Sequence, residues 1–120
     1  MGAKADWKDE VLQIIVRLNN PAFKFPFERS ALLIDYLSLH KVVPRSDLTK
    51  RAIEINLSDP DTFIVTTLAN VTMAIHPKGP VPDPGGWYFH DTERDLYVLD
   101  RGFSAAWREA RGLNKALGLR

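Results

Sequence analysis

The first 75 residues repeat their apolar positions at helical spacing. Between about 6 and 18, apolar side chains recur every three or four residues, which is typical of an amphipathic helix. The stripe of this first helix consists of Trp7, Val11, Ile14, Ile15 and Leu18. The same spacing predicts helices over about 27–40, 46–57 and 60–75. The last of these has no charge from 62 to 75, so we expect most of its circumference to be covered.

Polar residues and prolines predict where these helices begin and end. Ser46 is the predicted N-cap of the third helix, and Ser58 opens a start signal for the fourth, followed by Asp59 and Pro60. The residue before Pro44 avoids the helical region, so we expect an extended connection between the second and third helices.

Residues 87–99 follow a different pattern, that of two strands joined by a turn at 91–94. With Phe89 paired to Leu96, one face carries Trp87, Phe89, Leu96 and Val98. The other carries Tyr88, Tyr97 and Leu99, with His90 opposite Asp95. We expect the Trp87/Phe89 face to pack on the helices, because an isolated hairpin is marginal in water.

The second face of the hairpin has three alternative fates. A fifth helix, predicted from about 103 to 117, covers it; or it exposes two tyrosines to solvent; or a partner binds it. Tyrosine is enriched in interface hot spots, which makes Tyr88 and Tyr97 candidates for contact with a protein, together with His90.

These elements predict an α+β fold that is mostly α. Four helices form the core, followed by a β-hairpin at about 87–99 and a C-terminal helix. We expect a single domain over 1–120, with a proline- and glycine-rich loop at 76–86. Three helices followed by a hairpin also fit a winged-helix-like arrangement.

Composition restricts the class of protein. The chain has no cysteine, which excludes disulfides, thiol catalysis and cysteine metal sites. Its start is charged and lacks the apolar region of a signal peptide, and the uncharged run at 62–75 is too short and too polar to cross a bilayer. We therefore expect a soluble, cytoplasmic protein that does not contact the membrane.

The sequence offers no pattern for catalysis or for a cofactor. The histidines at 40, 76 and 90 are far apart and form no metal-binding spacing, the serines lack a nucleophile motif, and no glycine-rich phosphate loop is present. We expect no enzymatic activity, no metal and no cofactor, and we infer no small-molecule substrate.

Charge is distributed unevenly, although the net charge is only +1. Residues 41–51 carry four positive charges and one negative, and residues 101–120 carry five positive charges and one negative. Residues 81–100, between them, carry five negative charges and one positive. Such asymmetry steers charged partners without determining the fold.

The basic residues of the C-terminal segment share one face of the fifth helix. Arg108, Arg111 and Lys115 are spaced i, i+3, i+7, and we place them opposite Trp107. This stripe either steers an acidic protein surface or a phosphate, or is a solvated face whose cations favour the helix C-terminus.

Two functional hypotheses follow. The first is a non-enzymatic interaction module (adaptor, assembly factor, regulator or inhibitor) that binds a protein partner, itself included, through the hairpin and the C-terminal helix. Its predicted contact residues are Tyr88, His90, Tyr97, Arg108, Arg111 and Lys115.

The alternative is a winged-helix-like regulator that binds nucleic acid. It uses the basic residues of 41–51 and 101–120, and in the first segment these are Lys41, Arg45, Lys50 and Arg51. Two observations count against it: the helix at 60–75 offers only Asn70 and threonines for reading bases, and the turn of the hairpin is acidic.

Overall fold

The computed structural model describes residues 7–21, 23, 25–75 and 86–113, and this part of the chain is mostly helical. Its helices are α1 (Trp7–Leu18), α2 (Phe27–Leu39), α3 (Arg45–Ile55), α4 (Pro60–Ile75) and α5 (Arg101–Ala110). Its strands are β1 (Val43–Pro44), β2 (Tyr88–Asp91) and β3 (Leu96–Leu99).

The predicted fold class, α+β and mostly α, is confirmed. Over the described ranges, no helix combines the length and apolarity needed to cross a bilayer. The predicted loop at 76–86 lies, apart from Gly86, outside the described residues.

The helix starts agree with the sequence signals in one case and differ in two. At α4, the Asp59 carboxylate accepts hydrogen bonds from the backbone and side chain of Thr62. The prediction of Ser46 as a cap is wrong, because α3 begins at Arg45 after Pro44, without a side-chain cap. Helix α5 begins at 101 rather than 103, because the Asp100 side chain accepts a hydrogen bond from the backbone N–H of Phe103.

Aromatic rings hold the two ends of the described chain together. Phe103 of α5 lies 5.3 Å from Trp7, 4.9 Å from Trp87 and 5.9 Å from Trp107, measured between ring centroids. Gly102 permits the approach of α1, since a Cβ at that position would lie 2.9 Å from the Trp7 ring. One cluster of buried side chains draws on all five described helices.

Helix α4 packs against α1, α2 and α3, and most of its circumference is buried, as its lack of charge predicts. One side remains open to solvent, where Val65 is 59% and Met73 is 54% exposed. The helix is therefore central without being fully enclosed.

The three strands form one antiparallel sheet in the order β1-β3-β2. Phe89 pairs with Val98 and His90 pairs with Tyr97, so the predicted register is wrong by two residues. Residues 92–95 form the turn, and Asp95 adopts a left-handed backbone with φ of 53°. Because side chains alternate with a period of two, this shift leaves the membership of each face unchanged.

The hairpin presents its tyrosine face, and not its phenylalanine face, to the helices. Tyr97 and Leu99 are each only 5% exposed, and β3 packs on α2. Phe89 is 59% exposed, so the expectation that it packs inward is wrong. Trp87 is fully buried, as expected, but it precedes β2 and lies against Phe103.

Candidate functional site

The inner face of the hairpin is an internal network. The Tyr97 ring stacks on His90 with centroids 4.2 Å apart and planes 2° apart. His90 Nε2 lies 2.9 Å from Oδ1 of Asp95 in the turn. The Tyr97 hydroxyl accepts a hydrogen bond from Arg45 Nη1 at 3.2 Å. Burial therefore removes Tyr97 from any surface that a partner contacts, while its predicted neighbour Tyr88 is half-buried.

Arg45 connects three elements and is not a free cation. Its backbone N–H donates to the carbonyl of Asp95 at 2.8 Å, and Nη2 donates to Asp61 Oδ1 at 2.9 Å. Burial lowers the pKa of Arg45, but the hydrogen bond to Asp61 and the attraction of Tyr97 and Asp61 outweigh it, so the net pKa is raised. This arginine ties the turn of the hairpin to the start of α4.

The Tyr97 hydroxyl provides a direct test of this network. We expect Tyr97→Phe to lower the free energy of unfolding by about 1 kcal/mol, because it removes the acceptor of a charged donor and keeps the ring. Urea denaturation gives the value. Tyr36→Phe is the matched control, since no hydrogen bond of that hydroxyl is found among the described residues. Equal losses in the two variants would contradict the role of the Arg45 contact.

Asp35 of α2 is a buried carboxylate with three donors. Trp107 Nε1 donates to its Oδ1 at 2.7 Å, and Arg111 donates through Nε at 3.0 Å and through Nη2 at 2.9 Å to the two oxygens. The hydrogen bond to Asp35 raises the pKa of Arg111, although burial opposes it. Arg111 also lies over the Phe27 ring, 5.6 Å from its centroid.

These contacts correct the placement of the basic stripe on the last helix. Arg111 shares the Trp107 side of the chain instead of lying opposite it, because both residues donate to Asp35. Arg108 also faces α2, where Nη1 donates to the Ser38 carbonyl at 2.6 Å. Lys115 lies outside the described residues.

The remaining predicted cations of 41–51 differ in their surroundings. Arg51 pairs with Glu54 at 2.9 Å and lies 6.0 Å from the Tyr36 ring centroid. Lys50 is exposed on α3. Lys41 lines a cavity that neither of these residues reaches.

A cavity of about 540 Å³ lies between the end of α2, strand β3 and the start of α5. Its lining residues are Ser38, Leu39, His40, Lys41, Val42, Val98, Leu99, Arg101, Ser104 and Arg108. Binding sites for small ligands usually measure about 300–1,000 Å³ and combine apolar walls with a few polar groups. The volume of this cavity lies in that range, and its lining combines apolar and polar residues.

Positive charge from the two basic segments meets at this cavity. Lys41 belongs to the first segment, while Arg101 and Arg108 belong to the second. No carboxylate is found among the described lining residues. The Asp100 carboxylate, next to Arg101 in sequence, caps α5.

Two of the lining cations have no protein partner in the part of the chain that the structure describes. Lys41 and Arg101 make no side-chain hydrogen bond or ion pair there. Ser104, a residue only 9% exposed, adds a hydroxyl to the lining.

Sequence reasoning included Arg101 only within the basic segment 101–120, without singling it out, and it missed Ser104 as a site residue. Arg101 stands in the first turn of α5, where a positive charge opposes the helix dipole. That unfavourable position was the available signal, but it depends on knowing that the helix begins at 101.

Over the described ranges, no three His, Asp or Glu side chains gather closely enough to hold a metal ion. No family model, curated protein or solved structure matches this chain.

Proposed function

We propose that this chain is a small, non-enzymatic interaction module that binds an acidic protein partner. The observation that carries the proposal is the cavity at which Lys41, Arg101 and Arg108 converge without a carboxylate in its described lining. Complementary charge increases the association rate and selects the partner. A second copy of the chain is one such partner, because the segment 91–95, which contains the turn of the hairpin, is acidic and largely exposed.

The outward face of the hairpin adds an apolar contact beside this charge. Phe89 is exposed, and it pairs with Val98, which lines the cavity. Paired side chains on neighbouring strands have Cβ atoms about 4.5–5.5 Å apart. An apolar anchor and a group of cations therefore lie side by side, which is the composition that interface centres and their rims combine.

The test is the fluorescence anisotropy of a short, labelled, glutamate-rich peptide that contains one phenylalanine. We expect salt-sensitive binding, weakened several-fold by Arg101→Gln and by Lys41→Gln, because each removes an unpaired lining charge. Lys50→Gln is the matched control, since it removes an exposed charge outside the cavity. Equal binding of a peptide with glutamine in place of glutamate, or an equal loss with Lys50→Gln, would refute the proposal.

A nucleic-acid-binding role is the second candidate. The order α2-β1-α3-α4-β2-β3 supports a winged-helix-like arrangement, with α4 in the position of a recognition helix. The open side of α4, however, presents Val65, Ala69 and Met73, which cannot read base edges by hydrogen bonds. If a labelled DNA duplex or single strand binds more tightly than the acidic peptide, with steep salt dependence, this candidate replaces the first.

The proposal also places the module in the cytoplasm. A chain without cysteine suits a reducing compartment, which is the support that the sequence lends to this location.

A further inference from the structure

We infer that the cavity between α2, β3 and α5 is a receptor for a phosphate monoester carried on an apolar body, such as a phosphorylated tyrosine side chain. The inference rests on the proposed function, because it names the group of the acidic partner that enters this cavity. Its support comes from the charge, the hydroxyl and the apolar wall of the cavity.

The charge of the cavity fits a dianion better than a carboxylate. Two exposed lining cations, Lys41 and Arg101, have no side-chain partner in the described chain, and the described lining contains no carboxylate. A carboxylate supplies a single negative charge, whereas a phosphate monoester carries about −1.5 to −2 at pH 7 and offers three acceptor oxygens. Arginine pairs with phosphate oxygens through charge-assisted hydrogen bonds, and recognition by arginine clusters is a recurring mode of phosphopeptide binding.

The cations are held in different ways, which suits a site that is partly formed before it binds. Arg108 is held in place, and its Nη1 donates to the Ser38 carbonyl. Lys41 and Arg101 are exposed and have no side-chain partner in the described chain. Arg101 remains at the positive end of the α5 dipole, where its own charge is unfavourable until an anion arrives.

The Ser104 hydroxyl adds a neutral hydrogen-bond donor to the cations of the cavity. The residue lines the cavity and is 9% exposed. A serine hydroxyl donates one hydrogen bond, and a phosphate oxygen is a strong acceptor for it.

The apolar wall and the volume indicate a body attached to the phosphate. Leu39, Val42, Val98 and Leu99 line the cavity beside the cations. At about 540 Å³, the cavity is far larger than a phosphate group alone requires and falls within the range of ligand sites. An aromatic ring fills apolar volume of this kind and contributes its own burial energy.

The experiment compares three peptides that differ at one residue, which is phosphotyrosine, glutamate or tyrosine. We expect isothermal titration calorimetry to give the phosphotyrosine peptide at least about tenfold tighter binding than the glutamate peptide, because a charged hydrogen bond is typically worth that factor or more. Titrations of phenyl phosphate and of inorganic phosphate, each alone, distinguish the contribution of the apolar ring to binding from that of the phosphate group. Phenyl phosphate is expected to bind more tightly than inorganic phosphate.

Variants locate the binding in the cavity. Arg101→Gln and Lys41→Gln should each weaken the phosphotyrosine peptide by about tenfold. Ser104→Ala should weaken it by a smaller factor, and Lys50→Gln should leave it unchanged. Urea denaturation of each variant verifies the fold, and Arg101→Gln is expected to be no less stable than the parent because it relieves the dipole.

The outcomes separate the two proposals. If the glutamate peptide binds as tightly as the phosphotyrosine peptide and both depend on Arg101, the phosphate inference is overturned and the proposed function stands. If no peptide and no phosphate ester binds, both are overturned. If phenyl phosphate binds as tightly as the phosphotyrosine peptide, the phosphate site stands and its source is a small ester instead of a protein.

Discussion

Replacing Asp35 with alanine is expected to lower the free energy of unfolding by about 3–5 kcal/mol. The carboxylate is 8% exposed and accepts hydrogen bonds from Trp107 and, through both oxygens, from Arg111. Without it, the fully buried Trp107 keeps an indole N–H without an acceptor, and Arg111 keeps a partly buried charge without its hydrogen-bonded counter-ion. Urea denaturation followed by circular dichroism measures the loss.

One further variant separates charge from hydrogen bonding at this position, and a second variant elsewhere is its control. Asp35→Asn keeps an oxygen for Trp107 but turns a neutral amide toward Arg111, so its loss should be smaller than that of alanine. Asp61→Asn is the matched control, because its ion pair with Arg45 involves a carboxylate side chain that is 74% exposed. Exposed pairs are typically worth less than about 1 kcal/mol. A loss for Asp35→Ala no larger than that for Asp61→Asn would show that the buried pair contributes nothing.

A second large effect is expected at Trp87, where substitution by alanine should cost about 3–5 kcal/mol. The ring is fully buried, packs on Phe103, and donates from Nε1 to the Thr72 hydroxyl at 2.9 Å. Its removal leaves a cavity where the hairpin joins α4 and α5. Thermal and urea denaturation report the loss, with the slope of the urea transition as a check on cooperativity.

The neighbouring aromatic residue provides the contrast. Phe89 has a large ring only two positions away, yet it is 59% exposed, so Phe89→Ala should cost less than about 1 kcal/mol. If Phe89→Ala destabilises the protein as much as Trp87→Ala does, the orientation of the hairpin described here is wrong. The pair of variants thus tests which face of the hairpin packs on the helices.

The helices were predictable because their signals agree with one another. In α4, an uncharged apolar run follows Pro60 and an acidic cap at Asp59, and the observed bounds are the predicted ones. In α1, the apolar stripe and the asparagines after Leu18 give nearly the same bounds as the structure. Local propensity, periodicity and capping all favour one answer in these segments.

The register and orientation of the hairpin were not predictable from the same rules. Apolar and aromatic residues occupy both faces, so alternation alone does not select the buried one. The turn also lies one residue later than predicted. Asp91 ends β2 and accepts backbone hydrogen bonds from Glu93 and Arg94, and Asp95 takes the left-handed position. Aspartate suits both the start of a turn and a left-handed turn position. The sequence therefore does not show which residues form the turn, and the predicted register was wrong for this reason.

The candidate site was predictable only in part. Sequence marked the two basic segments, but their meeting at one cavity depends on how α2, β3 and α5 pack. Asp35 lies within the apolar run of α2, so it could have been predicted to be buried. Because a buried carboxylate needs a partner, its burial predicts that a cation from another element packs against it. With Asp35 considered, Arg111 is expected to lie inside, and fewer charges remain for a partner.

The aromatic cluster around Phe103 also determines what the fluorescence of this protein can report. The chain has three tryptophans, at 7, 87 and 107, and all of them are buried around that one phenylalanine. Tryptophan emission therefore reports on one region of the structure, where α1, the base of the hairpin and α5 pack together. Helix α3 and the turn of the hairpin contain no tryptophan and do not contribute to this emission. Tryptophan fluorescence therefore reports whether the two ends of the described chain are packed together.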